Sequence, residues 1–382
     1  MPAERHLVTA GHSYVVAENR RLAHEMALAG RGRWRVTAVA PPVFAGDLRR
    51  IALEPIADEA CVVKAVPMRL QRSAHLTHYA SLGRALPRDA DVVHVWEEPY
   101  VLAGAQVARA APDRARVVFA TFQNIEKRYP WPLSAFERAS MTRADGWIAF
   151  GHTVGQILAP RRGYAEKPHR VISPGVDLRV FMPDAAAGGD VRRSLGWAAD
   201  APVVGYLGRF VAQKGVTDLC DALSRTRAPW HALFVGGGPL AADIERLSAA
   251  YPGRVQIVTG VPHGDVPRWL NAMTVLCAPS RTTPDWREQF GRMLIEAMAC
   301  GVPVMASSSG EMPFVVGDAG RVLPERSPDD WARELDAILG DAAARGRMAS
   351  AGRERAAAEF AWPVVARRHL AFFDDLMEGA RL

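Results

Sequence analysis

Two cations in the segment GYLGRFVAQKGVTDL stand where a phosphate would be held. An apolar run over 203–207 ends at Gly208, Arg209 follows at once, and Lys214-Gly215 opens a helix. Cations in a strand-to-helix loop, beside the N–H groups of a helix start, make a site for a phosphate or diphosphate, although a lysine at a helix start is often merely solvated. Further on, LFVGGGPL puts glycines 236–238 at the end of a buried run. Such glycines let the backbone approach a ligand closely, and a tight turn alone would also call for them. The third string is REQFGRMLIEAMACGVPVMASSSG, in which Glu288 lies in a loop, Phe290-Gly291 begins a helix, and Glu296 follows. Met293, Leu294, Ala297 and Met298 form the buried face of that helix, and Glu296 falls within it. An unpaired carboxylate there is costly, so it should have a task. Binding a pair of ribose hydroxyls would be one, and an ordinary ion pair another.

Other candidates read differently. Glu97 and Glu98 follow the run DVVHVW at the end where ligands bind, and are expected to contact an acceptor. His94 lies inside that run and reads as a core histidine. Asp89-Ala90-Asp91 matches a metal-binding DxD string but precedes a strand instead of following one, so it reads as incidental. Cys61, Cys220, Cys277 and Cys300 are scattered, with no CxxC pair and no histidine at zinc spacing. They read as reduced, buried residues of a cytoplasmic protein.

Positioning these groups requires parallel sheets. Short β-rich runs, bounded by Gly and Pro, alternate with helical stretches throughout: RHLVTA, WRVTAVA, DVVHVW, RVVFATF, GWIAFG and HRVISPG, then PVVGYLG, HALFVGG, VQIVTG, TVLCAPS, VPVMAS and RVLP. The series occurs twice, which predicts an α/β protein of two doubly wound, Rossmann-like domains. The composition changes in PDAAAGGDVRRSLGWAADAP, residues 183–202, which reads as the linker. The expected segments are 1–182, 183–360 and an amphipathic terminal helix over 361–382.

The chain has 382 residues, 49% of them hydrophobic and 23% charged, enough for two ordinary cores. No apolar stretch suits a signal peptide or a membrane span, so a cytoplasmic protein is expected. The net charge of +6 resides in the first half. That half has the charge for peripheral contact with an anionic membrane, here the inner membrane surface, although solvated surface arginines are the plainer account. No nucleic-acid motif accompanies the arginines, and no nucleic-acid partner is expected. A nicotinamide-dependent oxidoreductase is disfavoured by the lack of a GxGxxG loop with an acidic residue about 20 positions later.

The order GRxxxxKG, VGGGP and EQFGRMLIEAMACGVPV resembles the retaining glycosyltransferases of family 4, of GT-B fold. Glu288 and Glu296 match the family's Glu–seven residues–Glu spacing, and VISPGVDLRVFMP resembles its PNGVD-type segment. The resemblance extends over most of the chain. It implies a donor-binding second domain, an acceptor-shaping first domain, and catalysis in a cleft between them. Arg209 and Lys214 would neutralise the donor diphosphate and stabilise the departing nucleotide, and Glu288 would bond the transferred sugar. The backbone of Phe290, Gly291, Arg292 and Met293 would cradle sugar and phosphate, and Glu296 would hold the ribose. Gly11, Gly208, Gly236 and Gly237 would line the donor, and the strand end at Gly260 and Val261 would meet the base. His12, Glu97 and Gln123 would touch acceptor or sugar.

The pattern has departures. Gln123 stands where the family commonly has His, so it can bond a hydroxyl but take no proton. The paired-glycine loop is reduced to Gly11-His12, the glutamate often found after the later proline is replaced in Pro313-Phe314, and Ser173-Pro174-Gly175 lacks the usual Asn. The resemblance implies transfer of a hexose-type sugar from a nucleoside diphosphate, most often UDP, with retention. The acceptor would be a small molecule, a lipid-linked group or a glycan. No cofactor and no metal are expected, since the cations take a metal's place. The alternatives are a GT-B epimerase or phosphorylase, or an inactive nucleotide-sugar-binding subunit.

Overall fold

The computed structural model describes residues 4–45, 50–73 and 75–379. Residues 1–3 and 380–382, the ends of the expected first and last segments, lie outside the described residues. The chain forms two units, one of residues 1–174 with 362–382 and the other of residues 175–361.

The first unit holds a parallel sheet of seven strands: β1 (Arg5–Ala10), β2 (Trp34–Ala40), β3 (Val62–Ala65), β4 (Val92–Val95), β5 (Arg116–Thr121), β6 (Gly146–Ala149) and β7 (His169–Val171). Across the sheet they run β7-β6-β5-β4-β1-β2-β3. The inner strands are continuous apolar runs because helices cover both faces, and β4 and β6 are buried at every position. Edge strand β3 was not among the expected runs. Its sequence VVKA is half exposed and includes Lys64, so it carries no buried pattern to read.

Helix α1 (Ala17–Ala29) follows β1 and packs against the terminal helix, which belongs to this unit. Trp362, Phe372 and Phe373 of that helix share one buried cluster with Leu22, Met26 and Trp34. Glu18 accepts the Trp362 indole N–H at 2.9 Å, and Asp374 accepts from Arg5 at 2.7 Å.

The second unit has β8 (Val203–Arg209), β9 (His231–Gly237), β10 (Val255–Val258), β11 (Val275–Ala278), β12 (Val304–Ser307) and β13 (Arg321–Leu323). All are parallel, in the order β10-β9-β8-β11-β12-β13. Helix α2 (Val216–Arg225) follows β8, and helix α3 (Arg292–Ala299) precedes β12. The terminal helix is α4 (Trp362–Glu378). The division between units falls at Pro174, upstream of the expected 183–202 linker. Ala185–Ser194 is instead a helix of the second unit, because Asp184 caps it by accepting the Ala187 N–H at 2.9 Å. Its alanines and glycines hid that helix in the composition.

In each sheet the unit's first strand has its second strand on one side and its fourth on the other. The winding reverses there, between β1 and β4 and between β8 and β11. Loops beyond the carboxyl ends of those strands diverge and leave a crevice, the place where ligands bind in this architecture.

Candidate functional site

In the second unit the crevice is built by the loops after β8 and β11. Lys214 ends a single 3-10 turn, Ala212–Lys214, and Gly215 caps α2 with φ 65°. A Cβ at Gly215 would lie 1.7 Å from the Pro279 carbonyl oxygen, so the turn carrying Lys214 presses directly on the end of β11. Two further ties hold it there. The Arg281 N–H donates to the Gln213 carbonyl at 2.8 Å, and the Arg281 guanidinium grips the buried Asp218 carboxylate of α2 at 2.5 and 2.6 Å.

Lys214 and Glu288 meet. The ammonium donates to Glu288 Oε2 at 2.5 Å, and the Ser280 hydroxyl donates to the same oxygen at 2.9 Å. Their side chains are 17% and 7% exposed, so this is a largely desolvated pair. The ammonium also lies 5.3 Å from the centre of the Trp286 ring. Lysine carries three N–H donors, and Glu288 takes one of them. The family resemblance assigns these residues separate contacts, to phosphate and to sugar, and the fold places them side by side. Arg209, at the end of β8, is exposed.

Gly208 and Gly236 are paired across β8 and β9, and a Cβ on Gly236 would stand 1.9 Å from the Gly208 carbonyl oxygen. Close approach of the chain to itself therefore dictates Gly236, and Gly237 beside it opens on free space. Gly291 caps α3, whose first turn contains Arg292 and Met293. The Phe290 side chain is buried in the core, its ring centre 5.9 Å from that of Phe360. Glu296 is 4% exposed, and His263 Nε2 donates to its Oε1 at 2.9 Å. His263 comes from the loop after β10, just beyond Gly260 and Val261, and sequence reading missed it. Its only signal was a polar residue beyond a strand's carboxyl end, where the ligand loops lie.

The first unit's crevice gathers Gly11-His12 after β1 with Glu97 and Glu98 after β4. The His12 backbone N–H and Nδ1 donate to the two Glu97 oxygens, each at 2.6 Å, and the Tyr79 hydroxyl adds a bond at 3.2 Å. Burial lowers the His12 pKa, but the charge and hydrogen bond of Glu97, with Glu98 adding, outweigh it and leave the pKa raised. Glu98 accepts from the Thr121 hydroxyl at 2.6 Å and the Phe122 N–H at 2.7 Å. Burial nevertheless pushes its pKa up to about 7. Gln123 is 6% exposed, and neither polar atom of its side-chain amide has a partner among the described residues. A buried amide left so costs about 1–3 kcal/mol, which a bound hydroxyl or water would offset. His94 is fully buried, as a core histidine. Asp89 and Asp91 are occupied by Arg35 and Arg114. The four cysteines are free and buried.

The family description "Glycosyltransferase Family 4" matches residues 5–180, and "Glycosyl transferases group 1" matches residues 189–355. The chain is 30% identical to a D-inositol 3-phosphate glycosyltransferase of Kribbella flavida, over 96% of this chain and 90% of that protein. The chain belongs to glycosyltransferase family 4. A second relative in the family, the enzyme of the same name from Jonesia denitrificans, is 34% identical over 55% of this chain and 53% of its own. Among solved structures, Anabaena HepE in complex with UDP aligns with a TM-score of 0.74 at 19% identity, covering 97% of this chain and all of that one. At that identity the likeness shows the family's fold, GT-B.

Among the described residues, no helix is long and apolar enough to cross a membrane.

Proposed function

We propose that this glycosyltransferase moves a hexose-type sugar from a nucleoside diphosphate, UDP first among the candidates, to an acceptor hydroxyl with retention at the anomeric carbon. The observation that carries the proposal is the Lys214–Glu288 pair at the switch point of the second unit, with Arg209 at the end of the adjoining strand. In this reading the diphosphate takes the remaining Lys214 donors and the Arg209 guanidinium. Glu288 then faces the sugar hydroxyls, and the start of α3 receives sugar and phosphate oxygens. Glu296, steadied by His263, accepts from the ribose. The anomeric carbon's bond to the diphosphate breaks and one to the acceptor oxygen forms, with release of the hydroxyl proton. The two cations stabilise the leaving charge, so no metal is required. Gln123 bonds a hydroxyl of sugar or acceptor.

The relatives' name makes D-inositol 3-phosphate the first acceptor to test, ahead of lipid-linked groups and glycans. The related HepE was solved with UDP, which favours UDP as the first nucleotide. A thermal-shift screen of UDP, GDP and ADP, alone and as sugar conjugates, tests the donor. At 100 times its Kd a ligand of the folded state stabilises it by about 2.7 kcal/mol. One nucleotide should raise the midpoint well above the others, and no response to any of them would refute a nucleotide-sugar donor.

A further inference from the structure

Trp131 is 82% exposed, while the other tryptophans are buried or half-buried. It stands in the loop after β5, in the string EKRYPWPL. A second exposed apolar tip lies in a hairpin whose arms, Met68–Arg69 and His78–Tyr79, pair antiparallel. Leu70 and Leu76 in that hairpin's turn are 60% and 38% exposed. The two loops converge on Tyr100. The His75 ring lies 5.9 Å from it on one side, and Tyr129 stacks on it at 4.1 Å. The Leu102 N–H donates to the His75 carbonyl at 2.9 Å, and Tyr79 is tied through both its backbone groups to the Gln106 side chain at 2.8 Å. The tips are thus held on a built platform.

Cations accompany the apolar tips. Arg69 and Arg72 flank Leu70, and Lys127 and Arg128 lead to Trp131; all four are exposed, and Glu126 is the only acid in either loop. A tryptophan and two leucines projecting among cations match the water–lipid boundary. There the indole sits at headgroup depth, the aliphatic tips enter the acyl edge, and the cations meet anionic headgroups. We infer that these two loops of the first unit dock the protein on an anionic lipid bilayer, reversibly and without a spanning segment. The aliphatic tips distinguish this from nucleic-acid binding, which would use stacking aromatics along a cationic track.

The test uses the full chain with vesicles of phosphatidylcholine alone or mixed with phosphatidylglycerol, and with a single-stranded oligonucleotide as a second polyanion. Wild-type protein should sediment with the phosphatidylglycerol vesicles and not with phosphatidylcholine alone, be released by salt, and show Trp131 emission shielded from a water-soluble quencher. Trp131→Ala, and separately Arg72→Gln with Lys127→Gln, should each lower partitioning roughly tenfold. All of these positions are exposed, so thermal midpoints and the response to nucleotide should not change. The inference is overturned if wild type does not bind the anionic vesicles, if the variants bind equally well, if Trp131 stays open to the quencher on the vesicle, or if the oligonucleotide binds in preference. None of these outcomes depends on which sugar is transferred.

Discussion

A Cβ at position 215 would collide with the Pro279 carbonyl on a backbone already turned to a left-handed φ. Gly215→Ala therefore destabilises by more than the roughly 1 kcal/mol of an ordinary strained alanine. It should also shift Lys214 away from Glu288. Denaturant melts and nucleotide titration of the same variant check both effects, and an unchanged midpoint would show that the turn has room to spare. Glu296 offers a second test. Replacing it with Gln keeps the volume but should weaken the proposed charge-assisted bond to the ribose, worth about 1.5–3 kcal/mol. The nucleotide Kd should rise about tenfold or more while the fold survives. Equal Kd by calorimetry would leave the carboxylate only its His263 partner. That Glu296 needs a partner was legible because a carboxylate on a buried helix face demands one. Its partner was not, because a pairing between residues so far apart in the chain leaves no local spacing to read.

Helix α4 carries a liability that a fold of this kind must manage. His369 on α4 and His94 on β4 are both fully buried, their ring centres 5.4 Å apart. Burial holds both below the usual imidazole pKa of 6.5, His369 at about 4, and the neighbouring His369 lowers His94 further. For these two groups the unfolded chain binds more protons than the folded one below pH 6.5, so their contribution to stability falls as the pH drops from there toward 4, while Glu98, raised to about 7, works in the opposite direction. For His369 alone the loss is roughly 3 kcal/mol across that window. Between pH 7 and pH 5 the urea midpoint of His369→Phe should change in the stabilising direction relative to wild type; an equal change in the two proteins would acquit His369. Elements with continuous apolar runs, such as β4 and β6, were plain in the sequence. The half-exposed β3 and the alanine-rich helix Ala185–Ser194 were not, since neither buries a periodic face that a single sequence displays.

At the scale of the molecule, the doubling of the strand series announced two Rossmann-like units. The loops that carry Arg209, Lys214 and Glu288 were legible because ligands sit beyond strand ends. The reversal of winding between β8 and β11 came only with the strand order, which no run of residues states. That reversal brings Lys214 against Glu288, although 74 residues separate them in the chain. These cations are proposed to stabilise a leaving diphosphate without metal. Arg209→Ala tests this most cleanly, because the residue is exposed and its loss leaves the buried Lys214–Glu288 pair intact. The measurement is the initial rate of nucleoside diphosphate formation from the donor, with acceptor or water taking the sugar, in excess EDTA. Wild type should turn over in the chelator. Arg209→Ala should lose about 100- to 1,000-fold in kcat, with a smaller change in the donor's KM, because the contact strengthens as the bond breaks. Near wild-type turnover in the variant, or a wild-type rate abolished by EDTA and restored by magnesium or manganese, would contradict the account.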